Sequence, residues 1–191
     1  FYPFLHLIKW FNEVLLLFAV ITILIAGLRA ITECDIKKII ALSTLSQLGI
    51  IITRLGLNIP NITYFHILIH ALFKALLFIS AGSLISCHRH SQDLRWIGNT
   101  VNQIPVTSSC IIIANLALCG FPFIAGFYSK DIILEASLFY SNNLFILTLI
   151  FFSVGLTSLY RIRFIYVVAW RPINSISYSN LTEPLSVSTP L

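Results

Sequence analysis

The sequence predicts an all-α fold class, a polytopic transmembrane helix bundle of about five crossings, one of them a discontinuous helix. Three observations predict it. Hydrophobic residues make up 58% of the 191 residues and charged residues only 10%, whereas soluble domains carry about 25% charged residues. Several apolar runs reach the roughly 20 residues needed to cross a bilayer. Short polar breaks separate these runs, and they leave no long polar region for a soluble domain.

The first two crossings are predicted at residues 11–29 and 38–57, with the polar segment ECDIK between them. The first is an apolar run that ends at Arg29. The second includes the segment ALSTLSQLG, whose hydroxyl and amide groups belong to Ser43, Thr44, Ser46 and Gln47. Such side chains commonly hold neighbouring transmembrane helices together, and we expect helix packing to be their role.

The third crossing, residues 62–86 after the NIPN turn, contains His66, His70 and Lys74 inside an apolar run. Their four-residue spacing places them on one face of a helix. A lysine at the bilayer centre costs about 2.5–3.5 kcal/mol on insertion scales, so the stripe should face partner helices or internal water. Such groups bind helices together or form a proton or ion path. Because three ionisable groups share one face, we favour the proton or ion path over the structural role.

A metal site is another interpretation of the HILIH segment, because two imidazoles at positions i and i+4 can share one ion. The HExxH motif of zinc enzymes has a glutamate after the first histidine, and Ile67 stands there instead. No third ligand is evident in this crossing. We therefore predict no metal ion.

The fourth crossing, residues 106–139, would be about 51 Å long as one helix, which is too long for a bilayer core of about 30 Å. Gly120, Pro122 and Gly126 lie in its middle. They predict two half-helices broken near residues 120–126. Unwound backbone at membrane depth is tolerated where protein or a water-filled cavity surrounds it, and it often marks a transport site.

Lys130 follows this break, and Asp131 and Glu135 come next along the chain. We predict that Lys130 is a second buried proton-carrying group and that the two carboxylates have secondary roles. Pro and Gly also mark ordinary helix ends. In that alternative the crossing ends near Gly120 and Lys130 lies in a surface loop.

The fifth crossing is predicted at residues 144–168, after the turn SNN. Together the crossings form a transmembrane bundle over residues 1–170. Residues 171–191 are polar, with Pro and Ser throughout, and predict an irregular tail.

The basic residues support this topology, because they mark the side from which a membrane chain is inserted. One face receives eight of them and the other receives Lys9 and Arg54. The eight are Arg29, Lys37, Lys38, Arg89, Arg95, Arg161, Arg163 and Arg171. The two basic residues assigned to neither face are Lys74 and Lys130, and both lie inside crossings. The net charge of +5 is too dispersed for a nucleic-acid site.

Redox cofactors are not expected in this chain. It contains no GxGxxG or P-loop glycine pattern, and its four cysteines form neither CxxC pairs nor a zinc pattern. Lysine and histidine, by contrast, can exchange protons near neutral pH when they are buried. The sequence therefore favours proton transfer over electron transfer.

Four segments carry a family resemblance: DIKKIIALSTLSQLG (35–49), FHILIHALFKALLF (65–78), SQDLRWIG (91–98) and GFPFIAGFYSKDIILE (120–135). In this order they resemble the antiporter-like membrane subunits of mitochondrial NADH:ubiquinone oxidoreductase, respiratory complex I. The chain 5 type is the most similar, because the chain 4 type usually has a glutamate where Lys130 stands.

The resemblance implies a fragment that covers the second of two inverted five-helix units in a proton-translocating subunit of the mitochondrial inner membrane. His66, His70 and Lys74 would be its connecting relay, and Lys130 its terminal channel lysine. The implied partners are the lipid bilayer and other membrane subunits of complex I. NADH, FMN, iron-sulfur clusters and ubiquinone would bind elsewhere in the complex.

Two other functions remain open at this point. A subunit of a multisubunit cation/proton antiporter would use the same lysines and could move sodium. A structural membrane subunit without transport would use its polar groups only to hold helices together.

Overall fold

The computed structural model describes residues 9–57, 59–88, 90–140 and 144–172, and all regular elements in this part of the chain are helices. They are α1 (Lys9–Thr32), α2 (Ile36–Gly56), α3 (Pro60–Cys87), α4 (Thr100–Gln103), α5 (Pro105–Cys119), α6 (Ala125–Tyr140) and α7 (Leu144–Ala169). The predicted all-α fold class is confirmed. The SNN turn and nearly all of the predicted polar tail lie outside the described residues.

Four helices are long and apolar enough to cross a membrane: α1 from Trp10 onward, α2, α3 and α7. The helices α5 and α6 contain 15 and 16 residues. At 1.5 Å per residue each is about 23 Å long, which is shorter than the bilayer core of about 30 Å. They follow each other in sequence and together form the predicted discontinuous crossing.

Local sequence explains where several helices begin and end. Proline occupies the first position of α3 (Pro60) and of α5 (Pro105), where its missing N–H group costs no hydrogen bond. The helix α5 ends at Gly120, which adopts the left-handed conformation (φ 83°) that favours glycine at this position. The break between α5 and α6 is therefore encoded locally.

The bundle buries many polar side chains and leaves many large apolar side chains exposed. In α3, Phe65, Leu68 and Leu72 are exposed, whereas Thr63 and Ser80 are buried. The buried hydroxyl groups bond mostly to carbonyl groups three or four residues earlier in their own helix, as Ser80 does to Leu76 and Leu77. This pattern suits a chain whose surroundings are lipid and other membrane proteins.

The helices pack around α3, which contacts α2, α5 and α6, while α7 contacts α1 and α5. The main apolar cluster joins α2, α3, α5 and α7 near one end of the bundle. Its largest members are Ile36, Ile39, Ile40, Leu77, Leu84, Ile111, Leu118, Tyr160 and Phe164. This cluster fixes the helices that hold the polar groups described below.

A short backbone bridge closes the same end of the bundle. The Ile36 N–H donates to the Gln92 carbonyl (3.0 Å), and the Leu94 N–H donates to the Cys34 carbonyl (2.9 Å). The Lys38 ammonium lies 2.6 Å from the Asp35 carboxylate. The contact with Lys38 holds the pKa of the Asp35 carboxyl below its usual value. The loop from α1 to α2 is thus tied to the segment after α3.

The unwound link between the half-helices is shorter than the sequence predicts. It covers residues 120–124, and Gly126 is the second residue of α6. A Cβ at Gly126 would overlap the carbonyl oxygen of Ala117 in α5. Gly126 therefore serves the close approach of the two half-helices and does not itself interrupt the helix.

We predict that Gly126→Ala destabilises the protein by about 1–3 kcal/mol, the usual cost of overpacking. The added methyl group would have to displace backbone and not a flexible side chain. The thermal midpoint and the amount of folded protein recovered should both fall. Gly82→Ala is the matched control, because a Cβ at Gly82 meets nothing within 4 Å. Equal behaviour of the two variants would contradict the packing argument.

Candidate functional site

The three ionisable residues of α3 form one buried stripe. His66, His70 and Lys74 are 3%, 9% and 5% exposed. The helix contacts α2, α5 and α6, and the buried stripe lies on this inner side, whereas Phe65, Leu68 and Leu72 are exposed. The four-residue spacing predicted this shared face correctly. The structure also identifies the hydrogen-bond partners of these side chains.

Lys74 is bound by α2. Its Nζ donates to the Ile40 carbonyl oxygen (2.9 Å) and to the Ser43 hydroxyl, and it lies 5.9 Å from the centre of the Phe78 ring. The Ser43 hydroxyl in turn donates to the Ile40 carbonyl oxygen (2.7 Å). None of these partners is acidic. Neutral acceptors can hold the amine both with and without its extra proton.

His66 connects three helices. Its Nε2 lies 3.3 Å from Gln47 Oε1 in α2, and its Nδ1 lies 3.0 Å from Ser129 Oγ in α6. Ser129 directly precedes Lys130 along α6. The stripe on α3 therefore reaches the second half of the broken crossing.

The contacts of His66 suit both of its protonation states. In the neutral ring, Nε2–H donates a hydrogen bond to Gln47 and Nδ1 accepts a hydrogen bond from the Ser129 hydroxyl. When the ring gains a proton, Nδ1–H donates to Ser129, whose hydroxyl can then donate to the Gly126 carbonyl oxygen 3.1 Å away. Rotation of one hydroxyl group thus accommodates a proton on His66.

His70 lies between His66 and Lys74. Its ring stacks on that of His66, with the centroids 6.2 Å apart and the planes inclined by 20°. Its Nε2 is buried and has no hydrogen-bond partner among the described residues. In the same part of the chain, no three metal-ligating side chains cluster.

Lys130 lies inside α6 and is 6% exposed, so the surface-loop alternative is wrong. Its Nζ donates to the carbonyl oxygen of Cys119 (2.8 Å), the last residue of α5. Carbonyl groups at a helix end lack partners within the helix and carry a partial negative charge. A Cβ at Gly120 would come within 2.9 Å of Lys130 Cδ, so the glycine also makes room for the lysine.

The two acidic residues that follow Lys130 are placed differently from it. Asp131 is partly exposed and Glu135 is exposed. Among the described residues, neither carboxylate forms an ion pair with Lys130. A secondary role for them stays a prediction.

Two buried arginines were not predicted. Arg54 in α2 and Arg161 in α7 are 1% and 2% exposed, although the sequence analysis assigned both to the membrane faces. Long basic side chains near helix ends usually extend toward water, and these two turn inward instead. Arg161 follows Ser153 and Thr157 at four-residue spacing, and all three are buried. For Arg161, this spacing was the sequence signal that could have predicted its burial.

A row of hydrogen bonds extends from Arg161 to the backbone carbonyl group of Ser43. Its Nε donates to the Tyr160 hydroxyl (3.3 Å), which lies 3.2 Å from the hydroxyl of Ser46. Ser46 donates to the Ser43 carbonyl oxygen (3.0 Å), and Ser43 binds Lys74. These serines were expected to serve helix packing. They do join helices, and Ser43 also binds the buried amine of Lys74.

Comparison with known proteins gives a consistent result. The family described as NADH:quinone oxidoreductase/Mrp antiporter, TM, matches residues 1–157. NADH-ubiquinone oxidoreductase chain 5 of Lumbricus terrestris is 55% identical over all 191 residues, which cover 33% of that protein. The chain 5 proteins of Anopheles gambiae and Rattus norvegicus are 49% and 43% identical over 91% and 84% of this chain, and the matches cover 30% and 27% of those proteins.

A similar fold occurs in a chain from the structure of the membrane-bound sulfane sulfur reductase, an archaeal respiratory membrane complex. The TM-score is 0.83 and the identity 30%, over 94% of this chain and 30% of the archaeal one. The present chain thus spans about a third of the length of the relatives it matches.

Proposed function

The chain belongs to the NADH:quinone oxidoreductase/Mrp antiporter transmembrane family, and from this premise we propose that it is part of a proton-translocating membrane subunit of NADH:ubiquinone oxidoreductase. Residues 1–170 would form the second inverted five-helix unit of that subunit, in the mitochondrial inner membrane. Its partners would be the other membrane subunits of the complex. NADH, FMN, iron-sulfur clusters and ubiquinone would bind in other parts of the complex.

One observation carries the proposal: His66 contacts Ser129, the neighbour of Lys130, from the same buried stripe that holds His70 and Lys74. These groups form a series of proton-exchanging side chains from the middle of α3 to the break between α5 and α6. Ionisable groups inside a membrane are costly and are typically retained for proton or ion movement. The burial of these groups and the contact of His66 with Ser129 support a relay.

In the proposed mechanism, Lys74 and Lys130 take and release protons in turn. His70, His66 and the Ser129 hydroxyl pass the proton between them, together with internal water where side chains do not touch. Quinone reduction elsewhere in the complex would supply the driving energy through conformational and electrostatic changes. A movement of α6 relative to α5 at the break would change the contact between Lys130 and the Cys119 carbonyl.

Lys130→Ala tests this proposal. In the complete complex, reconstituted into vesicles, the variant should lower the number of protons translocated per NADH oxidised, because alanine can neither take up nor release a proton. Lys37→Ala is the control, because Lys37 is an exposed lysine of α2. Full pumping stoichiometry in the Lys130 variant would remove Lys130 from the relay.

The family description also names Mrp antiporters, so a cation/proton antiporter subunit is the second candidate. It would use Lys74 and Lys130 in the same way and exchange protons for sodium. Proton movement in the vesicles that depends on a sodium gradient would favour this function. Proton movement that follows NADH oxidation in sodium-free buffer would favour the first.

A further inference from the structure

Arg161 poses a charge problem inside the bundle. The guanidinium group cannot lose its proton in a protein, whereas a buried lysine can become neutral. Arg161 is 2% exposed, and its Nη1 and Nη2 have no hydrogen-bond partner among the described residues. An uncompensated buried charge is strongly destabilising. A compensating group is therefore required.

Carboxylates in the described part of the chain do not supply it. All six of them are at least partly exposed: Glu13, Glu33, Asp35, Asp93, Asp131 and Glu135. A carboxylate of a neighbouring subunit would have to enter the bundle, because Arg161 has almost no accessible surface. The compensating group must be small enough to lie within the bundle.

A small cavity lies beside Arg161. Its polar lining consists of Ser43, Asn115, Tyr160 and Arg161, and its apolar lining of Ile39, Ile40, Leu77 and Phe164. The centre of a water-sized sphere can occupy about 10 Å³ of it, so the cavity has room for a single small occupant. The unpartnered N–H groups and the apolar walls together favour a desolvated anion, because electrostatic attraction is strong where water is excluded.

We propose that this cavity, the Arg161 cavity, binds one small monovalent anion of the halide class. Arg161 would donate hydrogen bonds from Nη1 and Nη2 to this anion. The hydroxyl of Tyr160 and the amide of Asn115 are further polar groups in its wall. A water molecule would accept the same hydrogen bonds but would leave the charge uncompensated, whereas an anion satisfies both requirements.

The position of the Arg161 cavity gives the anion a consequence for the candidate site. Ser43 lines the cavity and also binds Lys74. A bound anion would therefore offset the fixed charge of Arg161 in the surroundings of Lys74. The inference itself rests on Arg161 and the cavity, and it stands or falls independently of the proposed proton relay.

Equilibrium binding of radioactive chloride to the complete complex tests the proposal. The complex with Arg161→Gln should bind one chloride fewer than the complex with the unchanged chain. Arg29→Gln is the matched control, because the Arg29 side chain is 70% exposed, and it should bind the same amount as the unchanged complex. Equal chloride binding in the Arg161→Gln complex and the unchanged complex would overturn the proposal.

A second measurement needs no variant, and it applies if Arg161→Gln prevents assembly. The structure of the unchanged complex would be determined in bromide, with anomalous scattering to locate the halide. A bromide peak within hydrogen-bond distance of Arg161 Nη1 or Nη2 supports the site. Density of a water molecule or of a partner carboxylate at this position, without a bromide peak, overturns it.

Discussion

Lys74→Met in the complete complex should abolish most proton translocation while the protein still folds and assembles. Methionine has a similar length and no proton to exchange, so any relay through this position would stop. We expect the number of protons pumped per NADH oxidised to fall well below that of the unchanged complex. Proton uptake into vesicles, measured together with NADH oxidation, gives the ratio directly.

Assembly should be preserved because replacing a buried charge with an apolar side chain is often neutral or stabilising. The Ile40 carbonyl oxygen, which accepts from Lys74, keeps the hydrogen bond from the Ser43 hydroxyl. The thermal midpoint of the complex should therefore not fall. A fall in the thermal midpoint as large as that for Gly126→Ala would show that Lys74 is structural.

Lys74→Arg distinguishes a relay from a fixed charge. Arginine keeps the positive charge and can donate to Ile40 and Ser43, but it cannot release a proton at accessible pH. If Lys74 is needed only as a cation or a helix contact, this variant should retain pumping. If Lys74 exchanges protons, Lys74→Arg should be as inactive as Lys74→Met. Normal pumping by the arginine variant would contradict the relay.

The sequence predicted features that follow from periodicity within one helix. Four-residue spacing placed His66, His70 and Lys74 on one face, and the structure confirms that all three are buried. Gly120 and Pro122 located the break in the fourth crossing. These features are local, since a helix fixes which of its own residues share a face.

The partners of these groups could not be predicted in the same way. Gln47 and Ser129 contact His66 only because α2 and α6 pack against α3. The distance along the sequence does not predict which residues of two different helices come into contact. Gly126 was attributed to the break for a similar reason, because its actual constraint is the carbonyl oxygen of Ala117 in another helix.

The buried arginines were missed because two rules competed. Counting basic residues by membrane face assigned Arg54 and Arg161 to the ends of their helices. Yet Ser153, Thr157 and Arg161 repeat on α7 the four-residue spacing of the α3 stripe. Treating every such polar series alike would have predicted an inward-facing Arg161. Polar periodicity is thus better evidence for burial than the distance of a basic residue from a helix end.

His66→Gln should separate a proton relay from a purely structural role. Glutamine can hydrogen-bond to both Gln47 and Ser129, so a contact that only holds α2, α3 and α6 together would survive. It cannot take up a proton, so a relay would lose the step between His70 and Ser129. We expect pumping to fall severalfold or more while the thermal midpoint stays near that of the unchanged complex.

A variant of Ser129 tests the same step, because the Ser129 hydroxyl would accept the hydrogen bond from protonated His66. Ser129→Ala removes the only acceptor that the structure offers to Nδ1–H within the described residues. It should therefore lower pumping in the same direction as His66→Gln. Since the two variants interrupt one step, the double variant should lose little more than either single variant. Losses that instead multiply would mean that His66 and Ser129 act on separate proton routes.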